Sequence, residues 1–259
     1  NYQFRSIQET TSKRAISSII QDSNDFIWIG TNGAGLYRND GVNYYGYKYD
    51  KKPGSVNSNF IYTTFIDSYN NLWVGSDDGL CLYNRELDNF TKINIGDVIS
   101  KGYNEPITIK TIVQDNNGNL ILGAYGFGLF KLNIKTLKTT LIQSKLLDKP
   151  DFLIKSSAKT KQGIIYLGTS YGLLEIDLNG KVKQVYKDKF KRGPLLEDID
   201  NLVIDRFGYI WLGTTQNCLI KIKPETDNYQ FENYSITKNK ILSIVESSLG
   251  YIICGTEND

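Results

Sequence analysis

Hydrophobic and polar positions recur along this chain with a long period. A short apolar phrase ending in glycine and a small residue appears six times: FIWIGT, NLWVGS, NLILGA, IIYLGT, YIWLGT and YIICGT. Its glycines are Gly30, Gly75, Gly123, Gly168, Gly213 and Gly255, spaced 45, 48, 45, 45 and 42 residues apart. Eight residues before the glycine, four copies carry an aspartate: Asp22, Asp67, Asp115 and Asp205, with Thr160 and Ser247 in the fourth and sixth. A polar turn follows that position in every copy: SNDF, SYNN, NNGN, KQGI, RFGY or SLGY. Upstream lies an apolar stretch such as Ala15 to Ile20. Downstream most copies add a glycine and an apolar pair, as in Gly35-Leu36-Tyr37 and Gly128-Leu129-Phe130, where the fifth copy has Asn217. After another turn comes a stretch of mixed character, such as Asn43 to Tyr49 or Lys181 to Tyr186.

Short runs of Ile, Val, Leu, Tyr and Trp punctuated by Gly, Asn and Asp predict strands joined by tight turns. No segment has the length or 3.6-residue period of a substantial helix. One period therefore reads as four antiparallel strands, the module of a β-propeller blade. The second strand, as in Ile27-Trp28-Ile29, is apolar on both faces, which suits a sheet covered on both sides by its neighbours. Its glycine is expected to permit close backbone approach where blades converge. The repeats fall at about residues 15–49, 60–93, 107–142, 152–186, 199–234 and 240–259, making one all-β propeller domain of five full copies and a partial sixth.

The phrase D-x-x-x-x-I-W-I-G-T, followed by G-L-Y-x-x-D and preceded by I-x-x-I-x-x-D, resembles the two-component-regulator propeller repeat. Its clearest copy runs from Ile16 through Asp22, Trp28, Gly30 and Thr31 to Gly41. The resemblance implies a periplasmic sensor region of a hybrid two-component receptor that detects oligosaccharides, part of a larger ectodomain and homodimeric in the whole receptor. It also implies that the chain is a piece of a six- or seven-bladed ring, reaching the membrane only through parts C-terminal to it. Residues 2–7 are then expected to supply an outer strand that closes the ring.

Composition narrows the chemistry. The sequence of 259 residues has no histidine, which removes histidine acid–base catalysis, histidine-containing triads and histidine metal ligands. The net charge of +2 gives no general attraction for nucleic acid. Cys81, Cys218 and Cys254 form no paired motif and lie in strand-like contexts, which reads as small buried hydrophobes. The segment Asp115 to Asn119 superficially resembles a calcium loop, but its glycine comes fourth rather than sixth. No cofactor and no metal are expected, and no acidic pair stands out as catalytic.

Propellers bind ligands on the loops that enter the first strand of a blade and those that join the second to the third. The first class includes Lys51–Asn59, Ile95–Pro106, Ser144–Asp151 and Lys187–Asp198. The second includes Asn32–Ala34, Asp77-Asp78, Tyr125–Phe127, Ser170-Tyr171 and Thr215-Gln216. Tyr125, Phe127 and Tyr171 are candidate sugar-stacking aromatics, with Asp77, Gln216 and Arg192 as polar partners. Packing between blades is the alternative for the aromatics. Arg192 ends the basic run Lys187 to Arg192, which suits an acidic sugar or a solvated loop. Trp28, Trp73 and Trp211 share one strand position with Ile121, Tyr166 and Ile253 and read as core, and the repeated aspartate reads as a turn cap. A protein-interaction scaffold and a propeller glycan lyase or hydrolase are the competing functions.

Overall fold

The computed structural model describes residues 14–103, 105–148, 152–185, 198–214, 219–224, 230–234 and 240–257. Residues 2–7, the basic run Lys187 to Arg192, Gln216 and Cys218 lie outside them. The first repeat forms β1 (Ile16–Gln21), β2 (Ile27–Thr31), β3 (Leu36–Asn39) and β4 (Tyr44–Tyr47), and the second β5 (Ile61–Ile66), β6 (Leu72–Ser76), β7 (Gly79–Asn84) and β8 (Asn89–Ile93). The third comprises β9 (Ile109–Gln114), β10 (Leu120–Ala124), β11 (Gly128–Leu132) and β12 (Thr139–Ile142), and the fourth β13 (Ile154–Lys159), β14 (Ile165–Thr169), β15 (Gly172–Ile176) and β16 (Val182–Gln184). The fifth has β17 (Ile199–Ile204), β18 (Ile210–Thr214), β19 (Leu219–Lys223) and β20 (Gln230–Tyr234), and the sixth β21 (Ile241–Glu246) and β22 (Ile252–Thr256). Each of the first five repeats is a four-stranded sheet with its strands in chain order, and the sixth is a two-stranded sheet. The paired strands run antiparallel, as expected of propeller blades.

The polar turn between first and second strands has one conformational requirement. Its third residue takes a positive φ in all six copies: Asp25, Asn70, Gly118, Gly163, Gly208 and Gly250. Asp, Asn and Gly tolerate that region best, which explains why the turn varies in sequence yet draws its third residue from these three types. The preceding side chain closes the turn. Oδ1 of Asp22 accepts from the backbone N–H groups of Asn24 at 2.9 Å and Phe26 at 3.1 Å, and Oδ1 of Asp67 accepts from those of Tyr69 and Asn71 at 2.9 Å. Thr160 and Ser247 accept one such bond each, from Ile164 at 3.1 Å and Tyr251 at 3.0 Å.

The chain divides into two compact units. One holds the first two blades and part of the third; the other holds the rest of the third and the last three. In the first unit Trp28 packs against Ile61, Leu72 and Val74 of the following blade. In the second, Tyr166 packs against Ile199, Ile210 and Leu212 in the same way. The third residue of the phrase thus faces the next blade, and the second and fourth face the previous one. The glycine makes this packing possible. A Cβ on Gly75 would stand 2.9 Å from Cγ2 of Ile109 in the next blade, and one on Gly168 would stand 2.7 Å from Cγ2 of Ile199.

Trp28 and Trp73 are fully buried, as the core reading requires. Trp211 is only partly buried, and Ile253, at the same position in the sixth repeat, is 53% exposed along with its cross-strand partner Val245. The expectation that this position is always core fails there, because it is the next-facing side of β21 and β22 and that face lies open.

Candidate functional site

Loop ends of the two predicted classes meet through the backbone. In the first unit, Asn32 bridges Phe60, the Gly33 N–H donates to the Asn59 carbonyl at 2.9 Å, and the Asp77 N–H donates to the Phe60 carbonyl at 3.2 Å. The Thr108 hydroxyl donates to the Asp77 carbonyl at 3.2 Å. In the second unit, the Ser170 N–H donates to the Leu153 carbonyl, and the Leu153 N–H donates back to Oγ of Ser170, each at 3.0 Å. A loop joining second and third strands therefore stands beside a loop entering a first strand.

Tyr171, on the β14–β15 loop, stacks on the buried ring of Phe152 with centroids 6.1 Å apart and planes 10° from parallel. Phe152 sits on the loop entering β13 of the same blade, so Tyr171 is anchored within its own blade. More than a third of Tyr171 remains exposed. Tyr125, on the β10–β11 loop, is 53% exposed, and Phe127 is half-buried beyond the positive-φ Gly126. These three aromatics belong to the second unit, whereas Asp77 belongs to the first. Gln216 and Arg192 lie outside the described residues.

A charged residue in the first strand accompanies each set of loops. The second residue of a first strand sits at a bulge in β1, β5, β13, β17 and β21. In the first unit this position holds Tyr62, and Lys110 occupies it in β9, with the Lys110 ammonium 3.1 Å from the Tyr62 ring centroid. Burial pushes the Lys110 ammonium below its ordinary range, and the Asp77 charge only partly opposes this. Burial, reinforced by Asp77, raises the Tyr62 phenol. Oδ1 of Asp77 is buried and has no hydrogen-bond partner among the described residues.

In the second unit the bulge position holds Lys155 and Asp200. The Lys155 ammonium pairs with Asp198 and lies 2.7 Å from Asp200. Lys240 contacts the other Asp200 oxygen at 2.7 Å. Burial works against the Lys155 charge, but the two carboxylates outweigh it and hold its pKa above the ordinary lysine value. Sequence reasoning missed Lys110, Tyr62, Lys155 and Asp200; their shared offset, one residue after the isoleucine that opens each first strand, was the available signal.

Among the described residues no group of three or more Asp, Glu or Cys side chains is arranged to hold a metal ion. Oδ1 of Asp115 accepts from the Asn117 N–H at 2.9 Å, an ordinary turn closure. Cys81 is buried and unpaired, its thiol pushed up by burial to about 12, and burial also raises the half-exposed Cys254. No described helix is long and apolar enough to cross a membrane.

Residues 12–33 and 55–78 match the sequence model described as two component regulator propeller. No curated protein sequence matches the chain. Among solved structures, it is similar to the extracellular domain of a putative hybrid two component system from B. thetaiotaomicron, with a TM-score of 0.73 and 22% identity over 94% of this chain and 32% of that one. A second such domain from the same organism matches with a TM-score of 0.63 and 20% identity over 94% of this chain and 37% of that one. Virginiamycin B lyase from Staphylococcus aureus matches with a TM-score of 0.70 and 10% identity over 95% of this chain and 85% of that one. At these identities the structural likenesses speak to the fold, and the chain spans only about a third of the length of the two-component domains. The phrase repeated six times builds propeller blades, and two of its copies match the two component regulator propeller.

Proposed function

We propose that this propeller is an extracytoplasmic ligand-sensing part of a hybrid two-component receptor, exposed to the periplasm, and that its ligand is an oligosaccharide. The repeat match and the two extracellular domains of hybrid systems support the receptor role. The observation that carries the ligand class is the Tyr171–Phe152 stack at the loop end of the fourth blade. Phe152 fixes the Tyr171 ring, and its exposed remainder offers a pre-ordered surface on which a sugar ring can lie. Tyr125 offers a second exposed ring in the same unit.

Signalling follows as a shift in population. A ligand that contacts this propeller and the rest of a dimeric ectodomain favours one arrangement over another only by its difference in affinity between them. A sensing role needs no bond-making chemistry. One lyase neighbour is inactive when a histidine is replaced by alanine, and this chain contains no histidine, which supports the non-catalytic reading.

The test is a thermal-shift titration of the chain with neutral and acidic oligosaccharides. At a ligand concentration of 100 times Kd, binding stabilises by about 2.7 kcal/mol, a rise on the order of 5–10 °C for a cooperative unit of about 150–250 residues. With a neutral oligosaccharide, the Tyr171→Ala variant should lose the shift while melting as a folded protein. No rise with any saccharide would overturn the oligosaccharide reading.

A further inference from the structure

An open groove of about 640 Å³ crosses the first unit on its second blade, between the connection that leads from β4 to β5 and the outermost strand β8. We propose that this groove is a binding site for an acidic oligosaccharide, one carrying carboxylate or sulfate groups. The proposal rests on the sensor reading above and gives the ligand a charge and a second place on the fold.

The wall formed by the connection is fixed in place. The Tyr49 N–H donates to Oδ1 of Asn59 and the Lys52 N–H to Oδ1 of Asp50, both at 2.9 Å. The Ser55 hydroxyl donates to the Lys52 carbonyl at 3.0 Å, and the Phe90 N–H of β8 donates to the Gly54 carbonyl at 2.9 Å, tying the two walls together. Val56 is fully buried beneath them. Lys51 is held at a φ of 66°, a strained choice for lysine that this framework sustains.

The groove presents more donors than acceptors. Lys51, Lys52 and Lys92 line it against one lining carboxylate, Asp78. Lys92 lies 3.0 Å from Asp78, and Lys52 lies 3.8 Å from Asp50, while Lys51 has no partner among the described residues. Asn57, also lining the groove, is only 6% exposed, and its amide nitrogen has no acceptor among the described residues. An unpaired buried donor costs stability until an acceptor arrives. A ligand rich in anionic and hydroxyl oxygens supplies such acceptors to the ammonium groups and the carboxamide.

The volume falls within the range of small-molecule sites, about 300–1,000 Å³. A bare phosphate or sulfate would leave most of it empty. The 44% exposed ring of Tyr49 adds a stacking surface, which a sugar uses and an inorganic anion does not.

The experiment is calorimetric titration of the chain with trigalacturonate, a sulfated disaccharide, neutral maltotriose and triglutamate. The expected result is binding of one or both acidic sugars, weakened at least tenfold by the Lys51→Gln/Lys52→Gln variant and unaffected by Tyr171→Ala. The melting temperature of the lysine variant, whose changed side chains are exposed, should be unaltered. Binding of acidic sugar that ignores the lysine substitutions overturns the proposal, as does equal binding of triglutamate. If maltotriose alone binds and Tyr171→Ala abolishes it, the groove proposal fails and the sensor reading stands. If no saccharide binds, both fail.

Discussion

The indole N–H of Trp73 donates to Oδ2 of Asp67 at 2.8 Å, six residues back across the hairpin. The same bond joins Trp28 to Asp22 and Trp211 to Asp205, both at 2.9 Å. One carboxylate oxygen thus closes the turn while the other satisfies a tryptophan that the next blade would otherwise bury with an unpaired donor. Where the repeat has threonine or serine instead, as at Thr160 and Ser247, the strand position holds Tyr166 or Ile253, neither of which carries an indole. Every tryptophan at the strand position comes with the aspartate, because a buried indole requires an acceptor, while the third copy shows that the aspartate, Asp115, also stands with an isoleucine, Ile121.

Replacing Asp67 with alanine removes three turn bonds, two from backbone N–H groups and one from the Asn71 carboxamide, and strands the indole of Trp73 at once. The expected loss is about 2–4 kcal/mol by urea denaturation. Trp73→Phe should cost about 1–3 kcal/mol. The double variant should cost less than the sum, because the penalty for the stranded indole disappears with it. Strict additivity would show that the bond contributes nothing.

Asp22 also accepts from Nη1 of Arg85 in the following blade at 2.8 Å, so it joins two blades of the first unit. Burial of Asp22 tends to raise its pKa, but the Trp28 and Arg85 hydrogen bonds more than offset this and hold it below the unfolded value of 3.8. A depressed folded pKa adds stability that is fully present above the unfolded value and is lost as pH falls through the folded one. Stability measured from pH 6 to pH 2 should therefore decline below about pH 4. The Asp22→Asn variant should be less stable at pH 6 and should show a shallower decline, and an unchanged slope would remove Asp22 from the acid response.

Gly75→Ala would place a methyl 2.6 Å from Cγ2 of Thr63, 2.9 Å from Cγ2 of Ile109 and 3.1 Å from the Ile109 carbonyl oxygen. A backbone atom cannot swing aside, so the blades must separate slightly. The expected cost is about 1–3 kcal/mol. At Gly41 a new Cβ meets nothing within 4 Å, and only the positive φ of 94° opposes alanine, so that substitution should cost about 1 kcal/mol. Chemical denaturation of both variants separates crowding from backbone strain.

With its thiol raised to about 12, Cys81 is overwhelmingly protonated at pH 8. Alkylation by iodoacetamide under native conditions should leave Cys81 unmodified while Cys254, half-exposed in β22, reacts. Peptide mapping by mass spectrometry reads both sites in one sample. Equal labelling would show that the second blade opens on the timescale of the reaction.

Most of the architecture was legible in the sequence, because it depends on interactions within one repeat. The period located the strands and the polar turns between them, and Gly30, Gly75 and Gly168 marked where the next blade approaches, whereas the positive φ shared by Asp25, Asn70 and Gly118 emerged only from the backbone. These features follow from backbone sterics and from the need to cover both faces of a strand. The Asp–Trp bonds were half visible: the turn cap could be read, but the indole partner could not, since it depends on where a strand register places a side chain six residues away.

The sites depended on contacts that no single repeat contains. Lys110 over Tyr62, Lys155 between Asp198 and Asp200, and the groove between Asn57 and Lys92 bring together residues from different blades or from opposite ends of one repeat. Tyr171 was named from its loop, but only packing showed that Phe152 holds its ring. Even the core position of the phrase is conditional: Trp73 is buried and Ile253 exposed, although both occupy the same place in the repeat. Periodicity determines which way a side chain points, and tertiary structure decides what lies there to meet it.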